Sequence, residues 1–222
     1  MSKQAIIPDQ PALKRVGAKV RKRLAEDPLA YKVETDVAEI FAVGDFLSPG
    51  ECERLVNMID AVAEPSKLFE TPYSQGFRTS YSGDLDPTDP FVIGISRRID
   101  DFMGIAPELG ESIQGQRYAP GQEFKPHNDW FYTDQPYWEA ENKRGGQRCW
   151  TAMAFLNAVE EGGDTHFTEV GIKIAPQPGA LLVWNNALPD GTPNEGTMHA
   201  GTPVVRGTKY VITKWYRTRK WT

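Results

Sequence analysis

The sequence is poor in the residues on which disulfide-stapled and cysteine-ligated domains depend. Only Cys52 and Cys149 occur among 222 residues, far apart and in no metal-ligand spacing. That excludes a disulfide framework and a cysteine-built zinc site. Two reduced thiols are the expectation, with a single Cys52–Cys149 bridge left open. Histidine occurs three times, as His127, His166 and His199, so any imidazole chemistry must use these. No apolar run approaches the roughly 18 residues of a membrane-spanning helix. The first residues, MSKQAIIPDQPALKR, lack the apolar stretch of a signal peptide. No membrane association and a cytoplasmic location are therefore expected. A basic excess is also missing, since Asp and Glu number 30 against 25 Lys and Arg. The net charge of −5 argues against a nucleic-acid partner, which would call for a basic stripe.

What is present can build a core. Hydrophobic residues make up 40% of the chain and aromatics 11%, and the length suits one barrel-sized domain. No internal repeat is visible. The segment Pro11–Asp27 (PALKRVGAKVRKRLAED) predicts an N-terminal helix with a solvated basic face. The stretch AEIFAVGDFL predicts a strand, with an exposed edge through which two copies could pair. Ser48-Pro49-Gly50-Glu51 places Ser at an N-cap, Pro at N1 and Glu at N3. A helix from about Pro49 to Ala63 follows, with Cys52, Leu55, Val56 and Ile59 inward. A short strand near Arg78–Tyr81 is expected in an otherwise loop-like region. Asp89-Pro90 opens a helix to about Met103, with Val92, Ile95, Ile99 and Phe102 at helical spacing.

The second half changes character. SIQGQRY, EFKPHNDWF, RCWTAMAFLN, GIKIAP, ALLVWNN, TMHAGTPVV and TKYVITKWYR are short runs divided by turn residues. Such spacing predicts an antiparallel sandwich or barrel. Tyr132–Gln147 interrupts it as a long polar and aromatic loop, a frequent place for function.

His127 and Asp129 stand two apart in EFKPHNDWF. Residues i and i+2 of a strand share a face, so an imidazole and a carboxylate are expected to project together. His199 follows on a later strand-like segment. Two histidines and one carboxylate suit a non-haem Fe(II), leaving coordination positions open. A closed structural zinc site would use four ligands. Lys209 comes ten residues after His199 and begins KYVITKWYR. Alternation sets Lys209, Val211, Thr213 and Trp215 on one face. An interior lysine there requires an anion, which a dicarboxylate co-substrate would supply. Tyr118, in QRYAPGQEF, could donate to the same anion or simply fill the core.

These segments, IFAVGDFLSPGECERL, QRYAPGQEFKPHNDWF, FLNAVEEGGDTHFTEVGIKIAPQPGALLVWNN and HAGTPVVRGTKYVITKWYR, resemble the prolyl 4-hydroxylase branch of the 2-oxoglutarate/Fe(II)-dependent dioxygenases. The resemblance runs from about Ile40 to Arg217. It implies an α+β, mainly β fold: a double-stranded β-helix (jelly-roll) core with supporting N-terminal helices. Residues 1–30 would be a helical extension and residues 31–222 a single catalytic domain of procollagen-proline 4-dioxygenase type. It implies Fe(II) at His127, Asp129 and His199, and 2-oxoglutarate with its distal carboxylate on Lys209. Tyr118 is implied as a hydrogen-bond partner and Trp184 as a cavity wall, with Thr151 and Thr213 as further donors. Dioxygen is the oxidant, and ascorbate an optional reductant. His166, in GGDTHF, is read as a non-ligand.

The implied reaction is hydroxylation with release of succinate and carbon dioxide. A prolyl residue in a peptide or protein is the favoured substrate. Tyr73, Tyr81, Trp130, Tyr132, Tyr137 and Trp138 could line a groove for an extended proline-containing segment. Arg78 is expected to point into that groove, and Glu64–Ser80 to act as a lid. Two other readings stay open: an oxygenase of free amino acids or other small molecules, and a catalytically silent jelly-roll binding module.

Overall fold

A computed structural model describes residues 8–66 and 76–222. Helix α1 (Gln10–Ala25) comes first, then β1 (Tyr31–Lys32), β2 (Ile40–Val43), helix α2 (Pro49–Val62), β3 (Glu64–Pro65) and β4 (Tyr81–Asp84). Helix α3 (Pro90–Met103) precedes β5 (Gln114–Tyr118), β6 (Phe124–His127) and helix α4 (Trp138–Arg144). The remaining strands are β7 (Arg148–Phe155), β8 (Glu161–Gly162), β9 (Thr165–Phe167), β10 (Ile172–Ile174), β11 (Leu181–Asn185), β12 (His199–Gly201), β13 (Val204–Arg206) and β14 (Lys209–Arg217). Among the described residues, no helix is long and apolar enough to cross a membrane.

The helix starts follow their capping residues. At α2 the Ser48 hydroxyl accepts from the Glu51 amide, and the Glu51 carboxylate accepts from the Ser48 amide. At α3 the Asp89 carboxylate accepts from the Phe91 and Val92 amides, and Gly104 ends the helix at φ 64°. Each cap satisfies amides that have no partner within the helix.

An eight-stranded sheet runs in the order β1-β2-β11-β7-β14-β5-β4-β3 and faces a four-stranded sheet, β10-β9-β12-β6. Strands β8 and β13 pair separately, and the two sheets do not close into a continuous barrel. The central strands of the large sheet, β11, β7 and β14, are buried on both sides, and their periodicity sorts the core into two layers. Trp150, Ala152, Ala154, Leu181, Val183, Ile212 and Tyr216 face the helices, packed with Leu13, Val20, Leu24, Leu55, Ile59, Ile95 and Ile99. Met153, Phe155, Leu182, Trp184 and Val211 face the small sheet and pack with Phe167. The jelly-roll expectation is met, with α1, α2 and α3 backing one sheet. The site lies in the second layer, between the sheets.

Three local expectations are corrected. Strand β2 is not an exposed edge, because it pairs with β1 on one side and β11 on the other. The strand expected at Arg78–Tyr81 begins only at Tyr81; Arg78 makes an isolated bridge to Phe124 instead. The Tyr132–Gln147 insertion is not all loop, since α4 forms within it. Tyr73 and much of the Glu64–Ser80 segment lie outside the described residues.

Helix α2 approaches β5 so closely that a Cβ on Gly115 would collide with the Ile59 side chain. Overpacking such a contact costs about 1–3 kcal/mol. Gly115→Ala is therefore expected to lower the melting temperature by roughly 2–4 °C per kcal/mol lost. An unchanged melting temperature would show that α2 is not held at this distance.

Candidate metal centre and its cleft

Antiparallel pairing of β6 with β12 sets His127 directly opposite His199. Each ring is oriented the same way. The Nδ1–H of His127 donates to the Lys125 carbonyl at 2.8 Å, and that of His199 donates to the Thr197 carbonyl at 2.9 Å. Both Nε2 atoms therefore carry lone pairs and point away from the backbone. Phe124 stacks on His127 with ring centroids 3.6 Å apart, and Trp184 meets the His199 ring edge-on at 4.8 Å.

The expectation that His127 and Asp129 share one strand face needs correcting in its cause. Strand β6 ends at His127, and Asp129 sits in the bend beyond it. The bend returns the carboxylate to within 3.9 Å of His127 Nε2 and 3.8 Å of His199 Nε2. These separations are too long for hydrogen bonds, so the three groups do not satisfy one another. Their ligand atoms all lie within 4.8 Å, a grouping that could hold a metal ion. Burial and the neighbouring His199 push His127 down to about 3, toward the neutral form that ligates. Burial alone would lift Asp129, but His199, His127, Arg148 and the Thr151 hydroxyl hold it below its usual range. His166 points elsewhere: it pairs with Ala200 and Lys173 and is no member of the cluster.

The Asp129 carboxylate is held by Thr151, whose side chain the alternation of β7 turns inward. Thr151, fully buried, donates to Asp129 Oδ2 at 2.7 Å and accepts from Asn186 Nδ2 at 3.0 Å. The Thr151 proton is thus committed to the carboxylate rather than offered to a co-substrate. Asn186 was not singled out in the sequence, where its only signal is the polar end of an apolar strand.

A pocket runs inward from the cluster between the sheets, lined by Tyr118, Trp184, Lys209 and Thr213 as well as the two histidines and Asp129. Lys209 is 2% exposed. Its Nζ reaches Thr165 Oγ1 at 3.4 Å and lies 5.5 Å from the ring centres of Tyr118 and Phe155. No carboxylate among the described residues pairs with it, although Asp164 acts on it at longer range. Burial pushes the ammonium down to about 7. Tyr118 donates to Gln116 Oε1 at 2.8 Å, and Thr213 accepts from Gln116 Nε2 at 3.1 Å. The indole Nε1 groups of Trp184 and Trp215 have no hydrogen-bond partner among the described residues.

On the outer side the cluster opens into a cleft of about 510 Å³. Arg78, Trp130, Tyr132 and Tyr137 line it as expected, together with Phe77, Phe131, Arg148 and Trp215. Trp138 and Tyr81 do not line it. Trp138 starts α4, and Tyr81 packs its ring under Arg117. Arg78 donates to Ser80 and Gln114 side chains, both neutral, and stacks on Phe124. A buried ion network forms one wall. Arg148 grips Glu111 through two bonds of 2.7 and 2.8 Å, and Arg217 bonds Glu111 and Glu141 at 2.5 Å. Sequence reading passed over these arginines, although a charge inside an apolar strand run was the available signal.

Outer partners of metal ligands typically contribute 10–100-fold to metal affinity. Thr151→Val keeps the side-chain shape and removes the bond to Asp129. It is expected to weaken Fe(II) or Mn(II) binding by about tenfold or more, measured by metal titration. Wild-type affinity in the variant would remove Thr151 from the site.

Comparison with known proteins agrees with this geometry. The family model described as the 2OG-Fe(II) oxygenase superfamily matches residues 113–217, which contain every member of the cluster and Lys209. Probable prolyl 4-hydroxylase 8 of Arabidopsis thaliana is 31% identical over 206 residues, spanning 82% of this chain and 69% of that one. Prolyl 4-hydroxylase 1 of the same plant is 33% identical over 201 residues, spanning 81% and 69%. The viral collagen prolyl hydroxylase of Paramecium Bursaria Chlorella virus-1, solved as a 2OG complex, superposes with a TM-score of 0.63. It is 27% identical and covers 80% of this chain and 95% of its own. The chain belongs to the 2OG-Fe(II) oxygenase superfamily, in its prolyl 4-hydroxylase-like branch.

Proposed function

We propose that this protein hydroxylates a prolyl residue in a peptide or protein, consuming 2-oxoglutarate and dioxygen and releasing succinate and carbon dioxide. The observation that carries the reading is Lys209: a buried ammonium without an ion-pair partner among the described residues, in the same pocket as the His/Asp/His cluster. Such a charge is costly unless an anion meets it. A dicarboxylate that spans from the metal to Lys209 satisfies both ends at once.

In this reading His127, Asp129 and His199 hold Fe(II). The donor set fits, with two oriented imidazole lone pairs and one carboxylate in the facial arrangement suited to that ion. When bound, the iron with 2-oxoglutarate supplies the oxygen-activating chemistry. The chain does the rest. Lys209 fixes the distal carboxylate, and Tyr118, Trp184 and Thr213 wall the pocket around it. Thr151 and Asn186 keep Asp129 aimed inward. Trp130, Phe131 and Trp215 keep water from the cleft floor.

The cleft supports a peptide substrate. Its volume exceeds what one free amino acid fills, and its aromatic walls suit an extended proline-containing segment. Arg78, whose bonds to Ser80 and Gln114 go to neutral acceptors, can still donate to a substrate carbonyl. Trp130 and Tyr132 flank the same opening, with ring centres 4.4 Å apart. The deciding assay is a scan of proline-containing peptides and free amino acids with Fe(II), 2-oxoglutarate and oxygen. Hydroxyproline and succinate are expected to form together from peptides. Hydroxylation of a non-proline substrate alone would overturn the proposal.

The depressed Lys209 also sets a pH dependence. The group is a base lowered from its ordinary value to about 7, so above that pH the free pocket holds neutral lysine. The dianion binds the charged form, so binding above pH 7 takes up a proton. Affinity for 2-oxoglutarate is expected to fall by about tenfold per pH unit above roughly 7.5. Anaerobic calorimetry in buffers of different ionisation enthalpy reads this directly. A flat affinity with no proton uptake would separate Lys209 from the co-substrate.

A further inference from the structure

Asp9 stands at the N-cap of α1, but its side chain does not cap the helix. Its backbone is left-handed, at φ 63°, and its side chain makes no cap hydrogen bond. A non-glycine residue in that region is strained, so the carboxylate must gain elsewhere. It reaches across the chain. Asp9 Oδ2 accepts from the Gln147 amide at 3.0 Å and from the Thr218 hydroxyl at 2.9 Å, and Oδ1 pairs with Arg219. Arg219 in turn donates to the backbone and side-chain oxygens of Asn142 on α4, both at 2.6 Å. One carboxylate thus joins the start of α1, the end of β14 and the base of the 132–147 insertion.

The next link leads to the cleft. Gln147 is 4% exposed, and its side chain bonds both backbone groups of Phe131 as well as the Arg148 amide, at 3.0 Å. Its Oε1 accepts from the Phe131 amide at 2.6 Å, and its Nε2 donates to the Phe131 carbonyl at 2.8 Å. Phe131 lies two residues after Asp129, and its ring faces the guanidinium groups of Arg148 and Arg217 at 4.8 and 4.5 Å. The insertion returns to β7 through Gly145 and Gly146, both at positive φ. A Cβ on Gly146 would collide with the Asp9 carboxylate and the Thr218 hydroxyl. The backbone is therefore shaped to let Asp9 reach Gln147.

We infer that Asp9 is a positioning residue: it latches Gln147, and through it Phe131, so that the cleft wall meets a peptide substrate in one fixed arrangement. Asp9 lies more than a hundred residues before the family-matched segment 113–217, and it touches neither the His/Asp/His cluster nor the Lys209 pocket. The inference rests on the cleft being the peptide site. The latch is expected to act on peptide capture and not on 2-oxoglutarate.

The test compares wild type, Asp9→Asn and Arg21→Ala in the full chain. Arg21→Ala removes a different tie of α1, its bidentate bond to Glu39, and controls for loss of stability alone. Two readouts are taken: hydrogen exchange at the Gln147 and Phe131 amides, and KM against kcat for a proline-rich peptide that the wild type hydroxylates. In Asp9→Asn both amides are expected to exchange faster. Loss of one charge-assisted bond is expected to raise peptide KM by about tenfold, with KM for 2-oxoglutarate unchanged. Arg21→Ala is expected to leave exchange at Phe131 and peptide KM at wild-type values. Unchanged exchange at Phe131 in Asp9→Asn overturns the latch, as does an equal rise in KM in both variants. If no peptide is hydroxylated, the proposed function fails, and the exchange data still decide the latch.

Discussion

A lysine ammonium enclosed between two sheets is the constraint that orders this site. Lys209 opens β14 on the face that alternation turns inward, and the fold provides it with aromatic rings and one weak hydroxyl contact. It is almost wholly buried, and no carboxylate among the described residues pairs with it. A protein rarely keeps such a charge unless a ligand completes it. The rest of the pocket makes sense from that end. Tyr118 stands opposite Lys209 in register across β5 and β14, and the His/Asp/His cluster sits at the pocket's other end.

The metal cluster depends on strand register in the same way. Pairing β6 with β12 fixes the distance between the two imidazoles, and a carbonyl two residues back fixes each tautomer. Asp129 has no strand to hold it, so side-chain bonds do the work. Thr151, itself bonded by Asn186, holds the carboxylate from the large sheet, while Gln147 holds the backbone just after it. Rigid strands carry two ligands, and a braced bend carries the third.

Much of this was legible in the residues. Capping signals at Ser48 and Asp89 located α2 and α3, and period-two alternation in KYVITKWYR turned Lys209 inward. The HxD pair and His199 marked the cluster. The misplaced details share a physical origin, which is that local pattern does not report tertiary pairing. Strand β2 reads as a free edge until β1 and β11 take its two sides. Thr151 reads as a co-substrate donor until Asp129 is seen to accept its proton. Trp138 and Tyr81 read as groove aromatics because composition does not say which way a ring turns. Arg148, Glu111 and Arg217 come from distant segments, so their ion network exists only in the folded chain.

In the proposed site one pocket joins a metal held by His127, Asp129 and His199 to 2-oxoglutarate held by Lys209. Anaerobic addition of Fe(II) and 2-oxoglutarate to the apoprotein tests it most directly, read as the visible charge-transfer band of the chelate. The account predicts a band in the wild type, none in Asp129→Ala, and one in Lys209→Ala only at much higher 2-oxoglutarate. A folded wild-type protein that gives no band would contradict it.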